Sequence, residues 1–275
     1  MSALTFSKWS SGGNTTIFLH AADAARDVQR AWARAVLDPA VLGAEQAGCV
    51  TPARRRLRMA GGEFCVNASR AFGALLALTR PTPGGEAREE EIRVSGWDGP
   101  VRLSVRGFAP RWQVSARLTL PAASCPVDHA GGRLVRLPGI AHLLLPLTGA
   151  PTPETLVTRA REALTAAGLM DEAAAGIVWW RPDRQGAAMF PVVHVRDAAT
   201  FVAENACGSG ALALALELAL RHDKRHCDLI QPSGSVLRVR LGAPRADGGV
   251  DADIDGPVTL LARGRVWLDA ADVHH

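Results

Sequence analysis

Lysine is almost missing from this chain: Lys8 and Lys224 are the only two, and arginine supplies the rest of the 31 basic residues. A pyridoxal-phosphate enzyme needs a Schiff-base lysine in a buried pocket, and neither lysine sits in such a context, so no cofactor of that kind is expected. No apolar run reaches the ~18 residues that a membrane helix needs, and the N-terminal "MSALTFSKWSSGG" has no basic region followed by a long apolar core. The expectation is a cytoplasmic protein without membrane contact. Five cysteines, an odd number without short paired spacings, fit neither a disulfide framework nor a CxxC zinc site, and no metal is expected. The formal charge of +4 is spread over arginine-rich, strand-like segments, which argues against nucleic acid as a partner.

What the chain does have is a core and a repeat. With 275 residues, 48% of them hydrophobic, it can bury one large domain or two of moderate size. "GGEFCVNASRAFGALLAL" (61–78) is echoed by "ENACGSGALALALELAL" (204–220): each is a cysteine, two or three small or polar residues, then an apolar helix. About thirty residues after each cysteine comes a strand, a Ser-Gly turn and an alternating strand, "IRVSGWDGPVRLSVRG" (92–107) and "DLIQPSGSVLRVRLG" (228–242). Upstream, "GAEQAGCV" (43–50) and "DEAAAGIVWW" (171–180) each read as a helix end, a glycine stop and a β-rich run.

A helix apolar on nearly every face must be covered on nearly every face. After Cys207 the only charge in a dozen residues is Glu217. The pattern predicts an α+β protein of two pseudo-symmetric α/β halves, each a curved, mainly antiparallel sheet closing as a barrel around one central helix. The expected boundaries are 1–122 plus 260–275 for the half carrying Cys65 and 123–259 for the half carrying Cys207, with the site in the cleft between them. Segment 80–93 reads as a solvated acidic connection, 152–176 as an amphipathic helix or helix pair capped by Thr152, 243–256 as a loop, and 53–58 as a turn and strand rather than a basic patch.

A thiol at a helix N-terminus meets unpaired N–H groups and the positive end of the macrodipole, which predicts a pKa lowered into the range ~3.5–7.5. Small residues behind it let a carboxylate reach the same N–H groups. Two such starts facing each other would hold one α-carboxylate between two thiols on opposite sides of its α-carbon, the geometry needed to invert a stereocentre. A buried cysteine opening a core helix is the plain alternative for either site alone; the duplication favours a paired role.

The blocks "FSKWSSGGNTTIF", "GAEQAG", "RLRMAGGEFCVNASRA", "VSGWDG", "ENACGSGA" and "IQPSGSVL", in this order over nearly the whole chain, resemble the cofactor-independent amino-acid racemases of the diaminopimelate-epimerase fold. Within that group the sequence is most similar to the histidine racemases of staphylopine-type metallophore synthesis. The resemblance implies Cys65 and Cys207 as the acid/base pair, and the backbone around Val66, Asn67, Gly208 and Ser209 as the carboxylate cradle. It places Asn14, Glu45, Asn67, Glu204 and Asn205 at pocket positions, with Glu45 a candidate for the substrate ammonium or side chain. It implies a small amino-acid substrate, no cofactor, a homodimer, and metallophore-synthesis enzymes as pathway partners. Two departures stand out. Val66 replaces the usual glycine after the first cysteine, and the glycine-rich Glu-Arg element that reads the far end of diaminopimelate is missing before Cys207, which argues against that substrate.

Rival readings are a racemase or epimerase of another amino acid, of diaminopimelate or proline type, and a non-catalytic amino-acid-binding or scaffold protein. A cysteine hydrolase needs a base histidine held by a third group, and His129, His142, His194 and His226 have no such sequence context. Cys49, Cys125 and Cys227 lack a glycine-rich helix start. His274 and His275 read as a tag remnant or a frayed end.

Overall fold

The computed structural model describes residues 2–21, 24–80, 86–149, 152–184, 186–197 and 200–268. His274, His275 and the Pro/Gly stretch 81–85 lie outside them. The architecture is mixed α+β and dominated by sheet. The first part of the chain runs β1 (Ser2–Ser11), β2 (Asn14–Leu19), α1 (Arg26–Ala35), β3 (Gln46–Thr51), β4 (Arg56–Met59), α2 (Val66–Thr79), β5 (Arg88–Val94), β6 (Val101–Phe108) and β7 (Arg111–Leu120). The second part runs β8 (Val127–His129), β9 (Gly132–Leu137), β10 (Ile140–Pro146), α3 (Pro153–Ala166), β11 (Ala174–Asp183), β12 (Gly186–Val195), β13 (Thr200–Ala203), α4 (Gly208–His222), β14 (His226–Ile230), β15 (Val236–Pro244) and β16 (Val250–Leu268).

Pairing repeats as the sequence does. In each part a parallel pair spans a helix twice: β2–β3 across α1 and β4–β5 across α2, then β10–β11 across α3 and β12–β14 across α4. The strands between are antiparallel neighbours in the same order. The long β16 ties the parts together, because Val250–Thr259 pairs with β7, Arg238–Pro244 of β15 pairs alongside it, and Val258–Leu268 pairs with β1. With β1 also paired to β2, strands β1 to β7 and β16 form a closed hydrogen-bonded ring.

Inside this sheet α2 is buried from Val66 to Ala77 and α4 from Gly208 to Leu218. Neither helix has a polar face to give to solvent, so each is enclosed by the apolar faces of alternating strands such as β7. Glu217, the exception in α4, is buried and paired with Arg133 of β9 at 3.0 Å and with Arg221 at 2.5 Å. Amphipathic α3 covers the outer face of β11 and starts where expected, with Thr152 in a capping box with Thr155.

Three local expectations are corrected. Residues 88–93 are strand rather than solvated loop, and Glu90 points inward, paired with Arg55 at 2.6 Å and Arg88 at 2.5 Å. Within 243–256 the loop is short; from Val250 the chain is β16, whose apolar–acidic alternation aims Asp251, Asp253 and Asp255 at Thr119, Arg117 and Gln113 of β7. Gly48 and Gly176 are not helix stops but lie within β3 and β11, where a Cβ would come 2.8 Å from Arg58 O and 2.6 Å from His142 Nδ1 respectively.

The two parts interlock through reciprocal turns. The Gly12–Gly13 turn packs on the Ser233 turn that follows α4: Ser233 Oγ donates to Gly12 O at 2.5 Å, and a Cβ on Gly13 would meet Ser233 Cβ at 2.3 Å. Gly139, in the turn between β9 and β10, packs on the Gly96 turn that follows α2, 2.7 Å from Gly96 O at its notional Cβ. Each turn has φ in the left-handed region, which admits glycine readily.

Candidate active site

Cys65 and Cys207 are the N-caps of α2 and α4, with nearly the same backbone: φ −128°, ψ 111° and φ −129°, ψ 109°. Each thiol accepts an N–H from three residues on, Ala68 or Gly210, at 3.3 Å. The first intrahelical bonds are Ser69 N to Cys65 O and Ala211 N to Cys207 O. That leaves the N–H groups of Val66, Asn67, Gly208 and Ser209 without an intrahelical partner, as helix geometry requires.

The two starts touch. A Cβ on Gly208 would stand 2.8 Å from Val66 Cβ and 3.0 Å from Asn67 Oδ1. Asn67 Nδ2 donates to Ala206 O at 2.9 Å, pinning one start to the other. Beneath it the fully buried Arg70 donates to Val114 O, Pro257 O and, at 3.4 Å, Asn67 Oδ1. Burial lowers its pKa to about 10, which leaves a cation under the α2 start at neutral pH. On the α4 side, Gln231 Oε1 accepts the Cys207 N–H at 2.9 Å.

Both thiols open on one cavity of about 40 Å³. Of the residues expected at the site, Glu45, Cys65, Val66, Asn67, Glu204, Cys207, Gly208 and Ser209 line it. Asn14 and Asn205 do not; they hold Glu45 from behind, Asn14 Nδ2 at 3.0 Å, Asn205 Nδ2 at 2.8 Å and Asn205 N at 3.2 Å. The far walls are Leu37, Ala47, Ala60, Ile140, Val193 and Val202. No Lys, Arg or His side chain lines the cavity among the described residues, whereas three carboxyls do: Glu45, Glu63 and Glu204.

Burial sets the charge of these groups. It pushes Glu204 up to about 8 and Glu63 to about 7, and it raises Glu45 against four hydrogen bonds that lower it. It also pushes both thiols above their ordinary value, with Glu204 and Glu63 raising Cys65 further and Glu204 raising Cys207. The expectation of helix-lowered thiols is therefore corrected: the N–H groups do lower each pKa, but loss of water in a cavity lined by acids outweighs them.

Four participants escape motif reading. Gln46 accepts the Cys65 S–H at 2.8 Å and donates Nε2–H to Glu204 Oε1 at 2.7 Å, linking the two sides. Glu63 and Arg70 are two more. His142 is the fourth, with Nε2 2.8 Å from Ser209 Oγ, itself 3.5 Å from Cys207 Sγ. Burial lowers His142 to about 3 and its Nδ1 has no hydrogen-bond partner, so it is a weak base held by no third group, unlike the base a hydrolase would need. Gln46 and Glu63 precede Cys65 in sequence, but only folding brings them to the same space as both thiols. Cys49 is bland as expected, its thiol pushed up to about 12 by burial.

The fold is that of known racemases and epimerases. A hydroxyproline epimerase from Agrobacterium vitis superposes with TM-score 0.69 over 98% of this chain and 94% of its own, at 12% identity. A probable proline racemase from Agrobacterium radiobacter K84 gives 0.67 over 97% and 93%, at 14% identity. At the level of class the chain is an isomerase, a racemase enzyme. More closely, it belongs to the family described as the histidine racemase CntK N-terminal domain, whose pattern it matches over residues 3–267. A histidine racemase from Fusobacterium nucleatum subsp. nucleatum is 27% identical over 274 residues, 96% of this chain and 97% of that one.

Proposed function

We propose that this protein interconverts L- and D-histidine without pyridoxal phosphate, using Cys65 and Cys207 as the two bases. The observation that carries the reading is a pair of near-identical helix starts, each bearing a thiol, facing one cavity that is rich in carboxyls and lined by no basic side chain. In this reading the N–H groups of Val66, Asn67, Gly208 and Ser209, which have no intrahelical partner, grip the α-carboxylate. Because Val66 fills space against Gly208, the grip leans toward the α4 start.

A zwitterion brings its own cation, and an acidic cavity favours one whose side chain can carry a second. The α-ammonium beside Glu204 offsets the burial that otherwise keeps the thiols neutral, so one cysteine becomes competent as a thiolate only with substrate in place. That thiolate takes the Cα proton while the opposite thiol delivers one to the other face, and the two exchange roles with each turnover. Neither lysine lines the cavity: Lys8 donates to Leu42 O at 3.0 Å and Lys224 is exposed.

A cavity of about 40 Å³ is far below the roughly 300–1,000 Å³ of ligand clefts, which supports a site that opens to admit substrate and closes around it. We read the halves 1–122 with 260–275, and 123–259, as the bodies that part, in a diaminopimelate-epimerase-like arrangement. The expected homodimer would cover exposed Leu261 and Trp267 of β16, and the family likeness supports a place in opine-type metallophore synthesis. Incubating the protein with a panel of L-amino acids and separating the products on a chiral column tests the substrate. Histidine is expected to racemise alone or far faster than the others; conversion of other amino acids with histidine inert would overturn the reading.

A further inference from the structure

Of the three carboxyls that line the cavity, two are occupied. Both oxygens of Glu45 are taken by Asn14 and Asn205. Glu204 accepts from Gln46 and lies beside Cys207, where the α-ammonium must come if the α-carbon is to sit between the thiols. Glu63 is different. Its Oε2 is buried and has no hydrogen-bond partner, while backbone N–H groups of Gly61 and Glu63 hold the carboxylate from behind. A buried acceptor left open costs free energy, and it persists where a ligand supplies the donor.

The repeat sharpens this. Glu63 stands two residues before Cys65, and Asn205 two residues before Cys207. Their backbones are held alike: Ser95 Oγ donates to Glu63 O at 3.1 Å, and Ser233 N donates to Asn205 O at 3.0 Å. Yet Asn205 turns to Glu45, whereas Glu63 stays open in the wall it shares with Ala60 and Phe64. A racemisation site needs near-symmetry at its two thiols and asymmetry where the side chain lies. Position 63 is where the pseudo-twofold breaks.

We infer that Glu63 is a specificity-determining residue that accepts a hydrogen bond from an imidazole N–H of the substrate through its open Oε2. The inference rests on the histidine reading above. Glu63→Gln keeps the shape but, with its carbonyl oxygen bound to the backbone N–H groups, turns an amide N–H toward the cavity, so donor meets donor. The test compares kcat/KM for Cα–H exchange with L-histidine, Nτ-methyl-L-histidine and Nπ-methyl-L-histidine in wild type, Glu63→Gln and Glu63→Asp, with histidine binding measured by calorimetry in each. Expected is a roughly 10- to 100-fold rise in KM for histidine in Glu63→Gln with a smaller change in kcat, the scale of one charge-assisted hydrogen bond. The preference for histidine over one methyl isomer should collapse at least tenfold at the same time, and Glu63→Asp, which keeps the charge, should fall between. Unchanged histidine affinity in Glu63→Gln, or unchanged discrimination against both isomers, overturns the assignment. Wild type inert toward histidine would instead overturn the underlying functional reading.

Discussion

At Gly208 the absence of a side chain is a requirement set by its neighbour. Val66 occupies the space that a Cβ at 208 would enter, at 2.8 Å. Gly208→Ala should therefore push the helix starts apart, cost about 1–3 kcal/mol of stability as overpacking does, and abolish most activity. Adding Val66→Gly to the same chain should restore both. Urea midpoints and turnover of the two single variants and the double variant measure it, and simple additivity would contradict the contact.

Glu204 makes a second residue-scale prediction. Burial raises it from an ordinary 4.5 to about 8. Between those values the folded protein holds a proton that the unfolded chain has released, so stability falls as pH rises from about 5 to 8. Glu204→Gln removes that linkage. Urea midpoints at pH 5 and 8 should differ less in the variant than in wild type, and an equal difference would show that Glu204 is not held protonated. At this scale the sequence discloses the thiols and the small residues behind them, because their spacing is local. It does not disclose Glu63, Gln46 or His142, since their meaning depends on distant chain segments that face the same cavity.

The two central helices were legible because a run such as "ALALALELAL" has no face fit for water. Glu217 tests how that enclosure is completed. Arg133 keeps Asp128 at 2.6 Å and Arg221 is more than half exposed, so Glu217→Ala should destabilise by about 1–2 kcal/mol through lost ion pairs and an emptied space, whereas Glu217→Met, which fills the space, should cost less. Chemical denaturation of both variants checks the order; equal losses would show that the lost charge rather than the emptied volume matters there. The acidic strands are harder to see in the sequence for a related reason. "REEEIRV" and "VDADIDG" look like solvated loops, but every second residue faces inward or meets a partner on the next strand: Glu90 finds Arg55 and Arg88, and Asp253 finds Arg117. Strand periodicity of two, hidden under high charge, was the overlooked signal.

In the whole molecule, the internal repeat foretold the duplicated order of strands and helices, since the cysteine, helix, turn and strand recur in register. It did not foretell how β16 joins the two parts, because a strand that pairs with β7, β15 and β1 along its length has no local mark of its three neighbours. That joining sets the two helix starts against each other, and the proposed chemistry depends on both acting from opposite sides of one carbon. Wild type, Cys65→Ala and Cys207→Ala incubated with L-histidine in D₂O test this most directly. Wild type should yield D-histidine carrying deuterium at Cα, and each alanine variant should lose racemisation; full racemisation by either variant would contradict the two-thiol account.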